Sequence, residues 1–265
     1  MNVILTAVVS VTSVGIICAA ILSIASKFMY VKIDERITLL SNVMPGANCG
    51  ACGYPGCAGY ASALIEENAK TNLCTPGGAP LLVKIGEILG VEAGNIEAKK
   101  AAVSCNCNTQ TKKMEYKGIK SCMAAKNVFS GENLCAFGCL GYSDCKIVCP
   151  SDAICMDNNL ARIITEKCTG CGLCVKACPN HLITVMNASV PVIVACKNIE
   201  KGAVTRKKCS SGCIACTKCV KECPQSAITM VDNLAAIDYN KCDGCGKCAG
   251  VCMTKCIIKL LDINA

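Results

Sequence analysis

The chain has 265 residues, 28 of them cysteine, with three Phe, six Tyr, no Trp and a formal net charge of +8. So high a cysteine share marks a disulfide or metal scaffold, and so few aromatic residues exclude a large aromatic core. No acid–base or nucleophilic constellation is visible, and no G-x-G-x-x-G fingerprint follows a strand, so no catalytic, NAD or flavin site is expected here.

Residues 3–26 form an uncharged run of 24, rich in Val, Ile, Ala and Leu. About 20 such residues cross a bilayer's hydrocarbon core. No Lys or Arg precedes the run, unlike a cleaved signal peptide, while Lys27 and Lys32 follow it. The positive-inside rule then predicts a single-pass anchor over 1–29 in the lipid bilayer of the cell membrane, with the bulk of the chain cytoplasmic. The cytoplasm is reducing, so the cysteines are expected as thiolates and not as disulfides. Cys18, inside the span, reads as a small lipid- or helix-facing residue.

After a connector of mixed charge at 30–43 comes Cys49-x2-Cys52-x4-Cys57-x16-Cys74, set among glycines that let backbone approach a bulky group. Four thiolates in a reducing compartment suit zinc or an iron–sulfur cluster, and the spacing favours the latter without deciding it. Leu81, Leu82, Ile85, Ile88 and Leu89 recur at helical spacing, and 79–104 is read as helix. This gives a small, mostly helical four-cysteine module over 30–104. The polar, Lys-rich stretch that follows is read as a linker, 105–120.

The remainder contains an internal repeat. A shift of 74 residues lays Cys122, Cys135, Cys139, Cys145 and Cys149-Pro150 over Cys196, Cys209, Cys213, Cys219 and Cys223-Pro224. It continues with Cys168, Cys171, Cys174 and Cys178 over Cys242, Cys245, Cys248 and Cys252. Each copy also holds two short apolar stretches around Asp157-Asn158-Asn159 or Asp232-Asn233, which predict a hairpin. Two modules are expected, 121–190 and 191–265.

Their spacings follow the bacterial ferredoxin run C-x2-C-x2-C-x3-C-P, whose fourth cysteine ligates the other cluster of the pair. Structural zinc uses two separated C-x2-C pairs and fits the triple run poorly. The second copy assigns Cys213, Cys216, Cys219 and Cys252 to one cubane, and Cys242, Cys245, Cys248 and Cys223 to its neighbour. In the first copy, Cys168, Cys171, Cys174 and Cys149 form the regular site. The other site departs from the pattern, because Tyr142 stands where the second copy has Cys216. Cys135 is assigned in its place, beside Cys139, Cys145 and Cys178. Cys18, Cys105, Cys107, Cys122, Cys155, Cys196, Cys209 and Cys256 remain unassigned and read mostly as small buried hydrophobes. Cys105-x-Cys107 with Cys122 offers thiolates for a sixth cluster.

The run Met44-Pro45-Gly46-Ala47-Asn48-Cys49-Gly50-Ala51-Cys52-Gly53-Tyr54-Pro55-Gly56-Cys57-Ala58-Gly59-Tyr60-Ala61, with Cys74-Thr75-Pro76-Gly77-Gly78, resembles the B subunit of the Rnf complex. The likeness extends through anchor, four-cysteine module, Gly138-Cys139-Leu140-Gly141 and tandem ferredoxin modules, as in longer, clostridial-type members. It implies a [4Fe–4S] cluster on Cys49, Cys52, Cys57 and Cys74, hence five in all. It also implies a subunit of an ion-translocating ferredoxin:NAD⁺ oxidoreductase. Such a subunit accepts electrons from soluble ferredoxin and relays them to partner subunits, where NAD⁺ reduction is coupled to Na⁺ or H⁺ translocation. Met253 departs from the Pro that follows the last cysteine in the other repeats. The basic stretch Lys197, Lys201, Arg206, Lys207 and Lys208 reads either as a dock for acidic ferredoxin or as a solvated loop. No nucleic-acid partner is expected. The fold expected is α+β: one transmembrane helix, the four-cysteine module, and two tandem two-cluster ferredoxin-like modules.

Overall fold

The computed structural model describes residues 3–28, 34–92, 94–107 and 111–260. Helix α1, Val3–Phe28, has 26 residues and one basic residue, Lys27, in its last turn. At 1.5 Å per residue it is about 39 Å long, more than a hydrocarbon core needs. Leu5–Phe28 is apolar enough to span a membrane and buries nothing against the rest of the chain. Lys32, which with Lys27 sets the expected orientation, lies outside the described residues.

Of the connector, the described residues 34–43 are a capped helix. Asp34 caps helix α2, Glu35–Val43, by accepting the Arg36 N–H at 2.9 Å. Leu40 of α2 is fully buried with Tyr60, Ala61 and Leu64 of α3, Cys57–Glu66, and Leu81 and Ile85 of α4, Gly78–Leu89. This three-helix core carries the four-cysteine loops.

The helix expected over 79–104 stops at Leu89. Gly90, in the left-handed region at φ 68°, donates its N–H to Gly86 and ends it. Lys99–Val103 is instead a strand, β1, paired antiparallel with β4, Ile183–Asn187, from Lys99↔Asn187 to Val103↔Ile183. Its Ala101, Ala102 and Val103 are buried, so the strand belongs to the first ferredoxin-like unit and not to the four-cysteine module. The supposed linker is also partly fixed: Lys112 bridges to Asn133, and its ammonium lies 2.9 Å from the Glu132 carboxylate. Residues 108–110 within it are outside the description.

Between β1 and β4, the first unit holds α5, Cys122–Lys126; α6, Asp144–Ile147; the hairpin β2, Ile154–Asp157, with β3, Leu160–Ile163; and α7, Leu173–Ala177. The second unit repeats this order. It runs β5, Val192–Val194; α8, Gly202–Lys208; α9, Lys218–Glu222; hairpin β6, Ile228–Val231, with β7, Leu234–Ile237; α10, Lys247–Gly250; and β8, Ile257–Lys259, paired with β5. Both predicted hairpins form. Their turn residues Asn158, Asn159, Asp232 and Asn233 all have positive φ, between 46° and 62°, as a tight turn matched to strand twist requires. Ala102, Ile193 and Leu260 pack together and join the two units.

Candidate metal centres

No disulfide joins any of the 28 cysteines. In the helical module, Asn48 positions the loop by accepting the Cys57 N–H at 2.8 Å. Gly56, at φ 93°, lies so close that an added Cβ would stand 2.7 Å from Asn48 Oδ1. The Tyr60 hydroxyl donates to the Lys70 carbonyl at 2.7 Å and accepts from Leu73 N–H, tying the Cys74 loop to α3. Burial first, then the neighbouring Cys57, Cys52 and Cys49 thiols, push Cys74 up. The four are therefore together.

The three regular ferredoxin-type sets are also gathered. Burial and the nearby Cys171, Cys168 and Cys149 push Cys174 up to about 12. Burial with Cys213, Cys216 and Cys252 pushes Cys219 up to about 11. Cys248 is raised by burial with Cys242, Cys245 and Cys223 beside it. Each cysteine that closes a run receives a backbone N–H from four residues on, Ala153, Leu182, Ala227 or Cys256, at 3.3–3.4 Å from Cys149, Cys178, Cys223 or Cys252. Cys252 keeps this contact although Met253 replaces the Pro found in the other three. Strand β1 adds another donor, Ala101 N–H to Cys168 Sγ at 3.3 Å.

Cys256 has a role that spacing did not show. Its thiol lies within hydrogen-bonding reach of both Cys213 and Cys252, which lowers them to about 6 and about 5, and is itself pushed up. Its position four residues after a run-closing cysteine was the available signal.

The irregular site differs from the expectation. Burial, then Cys139, Cys122 and Cys178, push Cys145 up to about 12, and these four thiols line one cavity. Cys135, expected beside Cys139, Cys145 and Cys178, does not line this cavity, whereas Cys122 does. The reason is Asp144: its carboxylate accepts from Ser121 Oγ at 2.9 Å and from Met123 N–H at 3.1 Å, capping α5 and drawing Cys122 onto α6. Tyr142 turns away, its ring 5.8 Å from Tyr116 and its hydroxyl raised by burial and the adjacent Glu132. Cys135 instead faces Cys209 and Cys196.

Among the described residues no three ligating side chains converge on a point that a single ion would occupy. All-thiolate sets that ring a gap and receive backbone N–H groups fit a polynuclear iron–sulfur group better than zinc. The Lys176 ammonium also donates to the Cys49 carbonyl at 3.2 Å, placing the first module against the four-cysteine loop. His181, the one histidine, lies in a turn at φ 50°, its N–H bonded to the Cys178 carbonyl.

An apolar helix long enough to span a membrane, followed by thiolate quartets on ferredoxin-like units, defines an iron–sulfur protein of the membrane-associated polyferredoxin class. Family profiles match as follows: an Fe-S cluster family at residues 44–76, a 4Fe-4S binding domain at 161–184, and a 4Fe-4S dicluster domain at 205–253. The chain is 42% identical over 92% of its length to the B subunit of the Na(+)-translocating ferredoxin:NAD(+) oxidoreductase complex of Acetobacterium woodii, covering 74% of that protein. It is 36% identical over 97% of its length to the proton-translocating counterpart of Clostridium ljungdahlii, covering 91% of it. A third relative, the B subunit of the ion-translocating oxidoreductase complex of Methanosarcina acetivorans, is 35% identical over 97% of the chain and 98% of that protein. The chain belongs to the family of iron–sulfur B subunits of the Rnf ion-translocating ferredoxin:NAD⁺ oxidoreductase complexes.

Proposed function

We propose that this subunit accepts electrons from reduced soluble ferredoxin and delivers them to partner subunits, which reduce NAD⁺ and move Na⁺ or H⁺. It is anchored in the cell membrane by α1 with its remaining residues in the cytoplasm. The reading is supported by the cysteines that the fold gathers, from the four-cysteine loop, whose Cys49 carbonyl accepts from Lys176, to the C-terminal unit. Five [4Fe–4S] sites are proposed. They comprise Cys49, Cys52, Cys57 and Cys74; Cys122, Cys139, Cys145 and Cys178; Cys168, Cys171, Cys174 and Cys149; Cys213, Cys216, Cys219 and Cys252; and Cys242, Cys245, Cys248 and Cys223. When bound, such clusters supply one-electron redox chemistry at potentials set by charge, exposure and hydrogen bonds to sulfur. The chain's own contribution is to hold the thiolates and aim N–H groups at them.

The exposed Arg206 and Lys207 at the end of α8 are proposed to dock the acidic donor. Lys208 is less available, since its ammonium is paired with the Glu200 carboxylate. Cations in a last helical turn also favour the helix itself, so the test must read docking and not folding. Reversing both charges (R206E with K207E) should slow ferredoxin-dependent reduction and flatten its salt dependence, with iron content unchanged. An unchanged rate and salt slope would dispose of this docking surface.

A further inference from the structure

Of the eight cysteines left over by the five quartets, five, Cys105, Cys107, Cys135, Cys196 and Cys209, line one cavity between the two ferredoxin-like units, with Cys139 of a quartet at its edge. Cys135 lies beside Cys209 and Cys196. Cys107 and Cys209 are in direct side-chain contact. The sulfurs are met by N–H groups as at the other sites. Cys196 Sγ accepts from Asn198 N–H at 3.5 Å and Cys213 N–H at 3.4 Å. Asn198, almost fully buried, reaches across with Nδ2 to Cys135 Sγ at 3.7 Å and Glu200 Oε2 at 3.2 Å. Its Oδ1 accepts the Glu200 N–H at 2.8 Å, so the whole side chain is fixed. Asn133 lines the same cavity and donates Nδ2 to the Cys139 carbonyl at 2.9 Å, fixing the wall beside Cys135.

We propose that this cavity is a sixth [4Fe–4S] site, with Cys135, Cys196, Cys209 and one thiolate from the Cys105-Asn106-Cys107 arm as ligands. It bridges the two ferredoxin-like units. The donors favour a cluster over zinc, as at the other sites, because the described thiols do not converge on one ion.

This inference rests on reading the other quartets as cluster ligands, and its test keeps the two apart. Iron, acid-labile sulfide and zinc are measured per full chain, purified anaerobically in detergent. About twenty-four irons and as many sulfides are expected, at four per cluster. About twenty of each would overturn the sixth site and leave the five intact, whereas zinc without sulfide would overturn both. The triple variant C135A/C196A/C209A should lose about four irons and four sulfides, with the EPR signals of the remaining clusters retained. C105A/C107A should lose the same four, and combining the two sets should lose no more. The exposed Cys155, in C155A, should lose none. Unchanged iron in the triple variant, or the loss of one zinc instead, overturns the proposal; should that variant fail to fold, the count on the unaltered chain decides.

Discussion

Position 142 carries a phenol where the second ferredoxin-like unit has the thiol of Cys216, and on the proposed assignment Cys122, twenty positions upstream, stands in for it. Asp144 holds Cys122 against Cys145 through two hydrogen bonds to the start of α5. If Cys122 and Cys135 serve different sites, C122A and C135A should each remove about four irons and the double variant about eight. A loss of only about four in the double variant would show that they share one site. C122A should spare the EPR signal that C135A removes. Glycine positions test the close approaches around the sites. Gly170, just before Cys171, has φ 70°, and an added Cβ would stand 2.5 Å from the Lys99 carbonyl oxygen of β1. Backbone cannot yield as a side-chain tip can, so Gly170→Ala should destabilise the first unit by about 1–3 kcal/mol. Iron release on heating should then begin at a lower temperature than in the unaltered chain.

Secondary elements are legible where their signal is local. The hairpins are announced by Asp157-Asn158-Asn159 and Asp232-Asn233, because a two-residue turn with both φ positive needs such residues. The helix α4 is visible in its apolar period, but its end is not, since Gly90 is outweighed by the apolar run before it. Strand β1 escapes altogether. It has five residues, two of them Lys, and its partner β4 begins at Ile183, so nothing nearby announces it. The repeat misleads as well. The 74-residue shift lays β5 over residues 118–120, which are not a strand; in the first unit the outer strand lies farther upstream, and the arm bearing Cys105 and Cys107 is inserted after it. A fragment beginning at residue 121, the boundary the repeat suggests, lacks the β1 pairing for β4 and the Ala101 N–H that meets Cys168. It should express with less iron than its remaining quartets can hold, while one beginning at residue 96 should fill those quartets. Equal iron per quartet in the two fragments would show that β1 is dispensable.

Over the whole molecule, the readable part is the set of quartets whose cysteines lie within one short loop plus the run-closing residue. Ligand spacing is a local property and survives in the sequence. Contacts made by tertiary packing do not, which is why Cys122 and the trio Cys135, Cys196 and Cys209 emerge only from the fold. The N-terminal helix belongs to the readable part for a different reason: its signal is composition sustained over more than six turns. Val11, Ile16 and Leu22 of α1 are each about 70% exposed, with nothing of the chain packed on them. Apolar side chains left so on every side of a helix need lipid or a partner helix to cover them. The units that carry the cysteines close their own cores without α1. Deleting residues 1–28 should therefore leave iron and sulfide per chain unchanged, because no ligand or core residue is lost. Expressed without partner subunits, the shortened chain should move from the membrane pellet to the supernatant, whereas the full chain should need detergent. If the shortened chain still sediments with membranes after a high-salt wash, which strips electrostatic adhesion, another surface holds it and α1 is not the anchor. If it becomes soluble but loses iron, α1 is required to assemble the four-cysteine module, and the independence of anchor and sites fails.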